Sequence, residues 1–270
     1  MLVGELEEAL LAEFPRGDAE AWDHVGLSVG APAEGVRGVV CALDATASNV
    51  RVASARGANV LLTHHPVYIK APAAFVDRAG AAYPMSSEAV FLAARLGVSV
   101  ISLHTNLDRS IAARAALPAV VGLVAESSLE HRDEPGRCGL GALADAGGLT
   151  LGTLAQRCSE GFSTDPRVWG ASDAALSRVA FMGGSAAGFA EEVLASAADA
   201  LVCGECGYHV CQDLLGRGCA VVLLGHDASE EPFVKILKGR AQALCPGVPV
   251  GTIDGPNQWW TLTRGDSSWA

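Results

Sequence analysis

Short apolar runs alternate with amphipathic stretches along most of the chain, and the alternation predicts its elements. Residues 5–14 place Leu6, Leu10 and Phe14 at i, i+4 and i+8, the stripe of an amphipathic helix. A turn-rich segment with apolar alternation follows at 22–30. Residues 36–43 read as a strand ending at Asp44, 46–56 as a helix, and 58–63 as a strand that runs into His64-His65-Pro66. Ser86 and Ser87, with Glu88 in the first turn, predict a helix start, and Gly97 predicts its end. A strand at 98–103 leads to His104-Thr105-Asn106-Leu107-Asp108. The polar run 126–136 predicts an exposed connection between two halves, 1–125 and 126–270, with the C-terminal tail able to pack back on the first. Beyond it come a strand at 139–144, a helix at 149–158 and a strand at 178–182. Gly183, Gly184 and Gly188 suggest a turn into a helix at 189–198, followed by a strand at 200–203, a helix at 208–215 and a strand at 219–224. The last helix runs to about residue 244 with Phe233, Leu237, Ala241 and Leu244 on its apolar face, and Pro232 is acceptable there only in the first turn. The fold class expected is α/β: two α/β domains with mixed, mostly parallel sheets covered by helices.

Composition narrows the setting. Half of the 270 residues are hydrophobic, enough for one or two cores, and 18% are charged. No apolar stretch reaches the ~18 residues that a membrane helix needs. The acidic, amphipathic N-terminus lacks the basic region and cleavage site of a signal peptide, so a cytoplasmic location is the default expectation. The formal charge of −11 disfavours nucleic acid, whose backbone is gripped by clustered Lys and Arg. The eight cysteines include one CxxC, Cys203 to Cys206, but a zinc ribbon needs two such pairs. Buried, inert thiols are the simpler reading. Trp259, Trp260 and Trp269 in the tail suggest packing or a subunit contact.

Three strands end in metal-capable clusters: His64-His65, His104 with Asp108, and His226 with Glu230. Open α/β sheets gather their chemistry at strand C-terminal ends. A four-residue step into a helical turn brings two side chains to one face. Histidine with carboxylate, without thiolate, suits a borderline divalent ion such as zinc, iron or manganese. Adjacent histidines in an extended segment point to opposite sides, which suits two neighbouring ions better than one. A carboxylate between them would complete the pattern of a two-metal hydrolytic site.

The segments AWDHVGLSVG, LLTHHPVYIK, SLHTNLD, ADALVCGECGYH and LLGHDASE together resemble, in order, the Nif-three-like family of dinuclear-metal proteins, the GTP cyclohydrolase 1 type 2 homologues. The resemblance covers nearly the whole chain. It implies two divalent ions in the cleft between two α/β domains, and subunits assembled as a homohexameric ring. It implies His64, His65, Asp108, His226 and Glu230 as ligands, with Glu230 the bridge. By the same resemblance His104 is a ligand or stands directly behind one, and Asp44, Glu205 and His209 are polar neighbours of the site. The sequence differs from the family pattern at His24 (often Asn), at Arg109–Ala112 (a glycine absent) and at Cys203 (usually Thr).

The resemblance implies a small-molecule substrate, with a nucleotide as the candidate, and a water attacking C8 of GTP, with ring opening and loss of formate. His104, Glu205 and His209 are the candidates for moving protons. There is no P-loop; Gly183-Gly184-Ser185 is a candidate phosphate cradle if it opens a helix. The alternatives are a metal-binding scaffold that acts through protein partners, and a phosphoesterase or nuclease, which the acidic charge disfavours.

Overall fold

The computed structural model describes residues 1–78, 83–186 and 188–253. The tryptophans of the tail lie outside them. In chain order the first part holds α1 (Val3–Glu13), β1 (Gly26–Val29), β2 (Val39–Ala42), α2 (Ala47–Ala55), β3 (Val60–Thr63), α3 (Met85–Leu96), β4 (Ser99–Ser102), α4 (Thr105–Asp108) and α5 (Ile111–Val120). Then follow β5 (Ala125–Ser127), β6 (Ala142–Asp145), α6 (Leu151–Phe162), β7 (Arg167–Trp169), β8 (Arg178–Ser185), α7 (Ala190–Ala195), β9 (Ala200–Glu205), α8 (Tyr208–Gly216), β10 (Ala220–Leu223), α9 (His226–Leu244) and β11 (Val250–Thr252).

These strands form two sheets, in the orders β1-β4-β3-β2-β11 and β5-β6-β8-β9-β10-β7. The first is parallel except for β1, which runs antiparallel to β4. The second is parallel only along β8-β9-β10; β5, β6 and β7 join it antiparallel. The second sheet is therefore less parallel than the sequence suggests, because the hydrophobic pattern gives strand existence and not strand direction. β11 returns after α9 to pair with β2 in the first sheet.

Alternation along each strand divides the molecule into five layers. Val40, Ala42, Leu61 and Val100 face α2 and α3. Val39, Cys41, Val60, Leu62 and Ile101 face a central helical layer of α1, α5, α6 and α9. Val179, Phe181, Val202 and Val222 of the second sheet meet that layer from the other side. Ala180, Met182, Leu201 and Val221 face α7 and α8. Strands buried on both faces have the near-continuous apolar character that lets them be read from sequence. Phe233, Leu237 and Ala241 of α9 lie in the central core, as its stripe predicts.

Four local expectations need correction. α3 is capped by Pro84 rather than by a serine; Ser87 is buried inside it and donates its hydroxyl to the Ala74 carbonyl (2.6 Å). Its left-handed C-cap, Gly97, is as expected. The 126–136 run is exposed at Glu126 and in its later part, but Ser127, Ser128 and Leu129 are buried, because the chain there joins the second sheet's edge and the Leu129 amide donates to the Leu140 carbonyl (3.0 Å). Gly183, Gly184 and Ser185 do not open a helix but continue β8. Pro232 is not in a first turn, since α9 already starts at His226.

Candidate metal centre

The ends of β3 and β4 set the first cluster. Beyond β3 the His64 and His65 amides still donate to the Ala42 and Leu43 carbonyls (3.3 and 2.8 Å), so the pair is held at the sheet's edge. The Thr63 and Ser102 hydroxyls both donate to the His65 carbonyl (2.8 and 3.3 Å), which fixes the turn after the strand. β4 delivers His104, and α4 turns Asp108 back toward His64, whose Nε2 lies 3.5 Å from Asp108 Oδ1.

The second cluster comes from α9. A step of four residues puts His226 and Glu230 on one face, with His226 Nε2 3.3 Å from Glu230 Oε2. That face meets the first sheet directly. Glu230 Oε2 accepts from His65 Nε2 at 2.8 Å, and Oε1 stands 3.7 Å from His64 Nε2. Glu230 is only 4% exposed, and its two oxygens face two separate sets of ligand atoms. The sequence-predicted ligands His64, His65, Asp108, His226 and Glu230 thus converge. His104 joins them: its ring lies 5.2 Å from that of His64 and 5.6 Å from that of His65. Ligand atoms of His64, His65 and His104, and those of His65, His226 and Glu230, form two groups each compact enough to hold an ion.

Partners behind the rings decide which nitrogen faces the centre. His64 Nδ1 donates to the Leu103 carbonyl (2.9 Å), His65 Nδ1 to Asp44 (2.8 Å), and His226 Nδ1 to Glu205 (3.2 Å). Every Nε2 is thereby aimed inward, as is usual where a metal-binding histidine donates its other ring N–H to a carboxylate or carbonyl. His104 is oriented by Asp23, which accepts from its Nδ1 (3.0 Å) and from the Thr105 amide (3.0 Å) and hydroxyl (2.5 Å). The sequence reading passed over Asp23; its only signal was its place in the AWDHVGLSVG segment. The antiparallel pairing of β1 with β4 is what brings the residue preceding β1 beside the residues following β4. His24, its neighbour, instead packs edge-on against Tyr68. His209 is exposed and meets Gln212 and Tyr208; none of its contacts among the described residues reaches the cluster.

Charge inside the cluster is balanced by displaced protonation. Burial pushes the His65 imidazole down, but the hydrogen bonds to Asp44 and Glu230 outweigh it and hold its pKa at about 10. The bond to Glu230 lifts His226 to about 9 against the opposing effect of burial. Burial alone would raise Glu230, yet the facing histidines hold it well below the usual carboxylate range. Burial dominates at Asp108 and pushes its carboxyl up. Protonated His65 and His226 here supply the positive charge that divalent ions would supply in their place.

The residues fit metal ions on a direct observation. His64 Nε2 and Asp108 Oδ1 are buried and have no hydrogen-bond partner among the described residues. With His64 Nδ1 donating to a carbonyl, Nε2 carries a lone pair, so two acceptors face each other across 3.5 Å. Two ligands ~2.1 Å from one ion at a roughly tetrahedral angle stand about 3.4 Å apart. A divalent cation satisfies both atoms.

Glycines allow α9 to come this close to the sheet. At Gly184, with φ +58°, a Cβ would overlap Glu230 Oε1 and lie 3.1 Å from His226 Nε2. At Gly204 it would meet the Gly184 carbonyl and Ser229 Oγ, both at 2.6 Å. The glycine run read as a turn is therefore the floor under the second cluster.

The chain as a whole has known counterparts. The family model Duf34/NIF3 (NGG1p interacting factor 3) matches residues 1–256, nearly the whole chain. The chain belongs to the NIF3 family. A GTP cyclohydrolase 1 type 2 homologue of Streptomyces coelicolor is 30% identical over 252 residues, covering 89% of this NIF3 chain and 85% of the relative. One from Clostridium acetobutylicum is 26% identical over 237 residues, covering 86% and 87%. Among solved structures, a hypothetical protein of Staphylococcus aureus superposes with a TM-score of 0.86 at 22% identity, over 97% of this chain and 99% of that one. A Bacillus cereus protein related to NIF3 gives 0.83 at 18%, over the same shares. At these identities the structural likeness establishes the NIF3 fold alone. No helix among the described residues is long and apolar enough to cross a membrane.

Proposed function

We propose that this protein is a dinuclear divalent-metal hydrolase acting on a carbon–nitrogen bond of a heterocycle, the class of reaction that the curated relatives' name, GTP cyclohydrolase 1 type 2 homologue, denotes. The observation that carries the reading is Glu230, whose two oxygens face different histidines beside two orphaned ligand atoms. His64, Asp108 and Glu230 Oε1 would hold one ion, and His65, His226 and Glu230 Oε2 the other; zinc, iron and manganese all suit this set. Bound there, a pair of divalent ions supplies an acidified water and a polarised substrate atom.

The chain's own residues do the rest. Leu103, Asp44 and Glu205 keep three imidazoles aimed inward, so the ligand atoms need little reorganisation. His104 is held by Asp23 through Nδ1, leaving Nε2 to take a proton from an attacking water or return one to a leaving nitrogen. Glu205 is half in solvent beside His226 and offers an exit for that proton. A homohexamer remains part of this proposal, as the family resemblance implies.

Elemental mass spectrometry on protein purified without chelator tests the centre: about two ions per chain are expected. Glu230→Ala should lose both together, whereas His64→Ala and His65→Ala each weaken mainly one. Hydrolysis that begins with GTP as first substrate should vanish in Glu230→Ala. Full metal content in that variant would refute the bridge, and full metal without turnover on any heterocycle would refute the hydrolase.

A further inference from the structure

A cavity of about 460 Å³ opens directly from the metal cluster, a size that suits a small organic ligand. His104, Asp108, His226 and Glu230 form its polar end. The rest is largely apolar wall, made by Trp22, Ile69, Leu117, Met182, Phe189 and Phe233. Trp22 is half exposed and sits edge-on to His104 with 5.9 Å between ring centroids, so a ring that stacks on its face is next to the proton-bearing side chain.

What the wall lacks is charge for phosphate. Apart from the histidines, Arg114 is the one cationic side chain among the described residues that line it, and its Nη1 already donates to the Arg137 carbonyl (3.2 Å). The third lining carboxylate, Glu20, is committed to Arg109 at 2.6 Å. Two amides of the glycine segment are already engaged. The Gly184 amide donates to Ser229 Oγ (2.9 Å), the Ala186 amide donates to the Glu205 carbonyl (3.0 Å), and Ser185 pairs with Glu205 across β8 and β9. A triphosphate tail carries about four negative charges and is ordinarily held by several cations and free amides together.

We propose that the pocket takes a flat, mainly apolar ring compound with at most one acidic group, placed at Arg114, and that a triphosphate is not part of what it recognises. The inference rests on the hydrolase reading for the direction of the reacting edge, which is toward His104 and Glu230. The apolar wall exists with or without ions.

The test is fluorescence titration with the uncharged probe N-phenyl-1-naphthylamine, on metal-loaded protein and on protein stripped by chelator, with guanosine and GTP as competitors. The probe is expected to bind both forms, and Trp22→Ala and Phe189→Ala are each expected to weaken it about tenfold, a loss equal to ~1.4 kcal/mol. GTP should give no advantage over guanosine in stripped protein, where only the wall could hold the phosphates. The inference is overturned if the probe does not bind, if neither variant weakens it, or if GTP competes ten times better than guanosine in stripped protein. None of these readings depends on metal content, so a failure of the wall and a failure of the metal centre are told apart.

Discussion

Gly184→Ala is the most direct perturbation of the centre that leaves every ligand in place. The added methyl would overlap Glu230 Oε1, the free end of a side chain, so the carboxylate gives way and turns from the histidines. Backbone strain acts as well: φ is +58°, and a left-handed conformation costs an L-residue about 1–2 kcal/mol. Gly147 separates the two effects. Its φ is +60°, and a Cβ there would meet nothing within 4 Å. Gly147→Ala should therefore lose about 1–2 kcal/mol with metal content unchanged; at about 2–4 °C per kcal/mol for a chain near this size, Tm falls by roughly 2–8 °C. Gly184→Ala should show a similar strain loss and in addition hold fewer than one ion per chain. Elemental analysis beside a thermal melt reads both quantities on the same sample. If Gly184→Ala keeps full metal content, the glycine is not the floor of the cluster and Glu230 is not held where the geometry puts it.

Two further predictions concern groups near the centre. Asp23→Asn preserves the size of the side chain but turns one of its two accepting oxygens into an NH2 donor, set against either the Thr105 amide or the His24 amide, so a loss of about 1–3 kcal/mol is expected in chemical denaturation. Burial pushes Asp23 up, but the His104 and Thr105 hydrogen bonds outweigh this and hold it below the usual carboxylate range. Its contribution is therefore present at neutral pH and lost as pH falls below that range, and Asp23→Asn should flatten the acid limb of the stability profile; an unchanged limb would refute the assignment. Burial lifts the Cys41, Cys158 and Cys219 thiols to about 12, while Cys138 is exposed. At pH 8 a thiol reagent should label Cys138 rapidly and those three only on unfolding, and Cys203→Ala with Cys206→Ala should leave metal content intact.

The metal-capable residues were legible because each cluster follows a short, buried strand, and strand ends are where α/β sheets gather their chemistry; two clusters end strands of the first sheet and the third follows β10 of the second. Asp23 was not legible, because its link to His104 spans 81 positions and depends on the direction in which β1 pairs. Gly183 and Gly184 were misread for a related reason. Glycine permits both a tight turn and a close approach of backbone to a neighbouring element, and only the position of α9 tells them apart. The same helix explains Pro232: its first turn is the His226–Glu230 motif itself, so a helix counted from after the motif begins too late. The return of β11 to β2 pairs residues more than two hundred positions apart and leaves no local pattern to read.

The centre also joins the two sheets. His64, His65 and Asp108 hang from the first sheet's strand ends, while His226 and Glu230 belong to α9, which enters directly from β10 of the second. Ions held between these sets bind the folded arrangement and not the unfolded chain, so they stabilise it by mass action. Free metal at about a thousand times its dissociation constant contributes about 4 kcal/mol, equivalent to roughly 8–16 °C in Tm at the sensitivity used above. Stripping the ions from wild-type protein should lower Tm by that amount, and readdition of zinc or manganese should restore it. Glu230→Ala, without the carboxylate that faces both sets, should melt at one temperature whether or not chelator is present. A chelator effect of equal size in wild type and Glu230→Ala would place the stabilising ion elsewhere and sink the two-sheet clasp, even if metal content alone looked right.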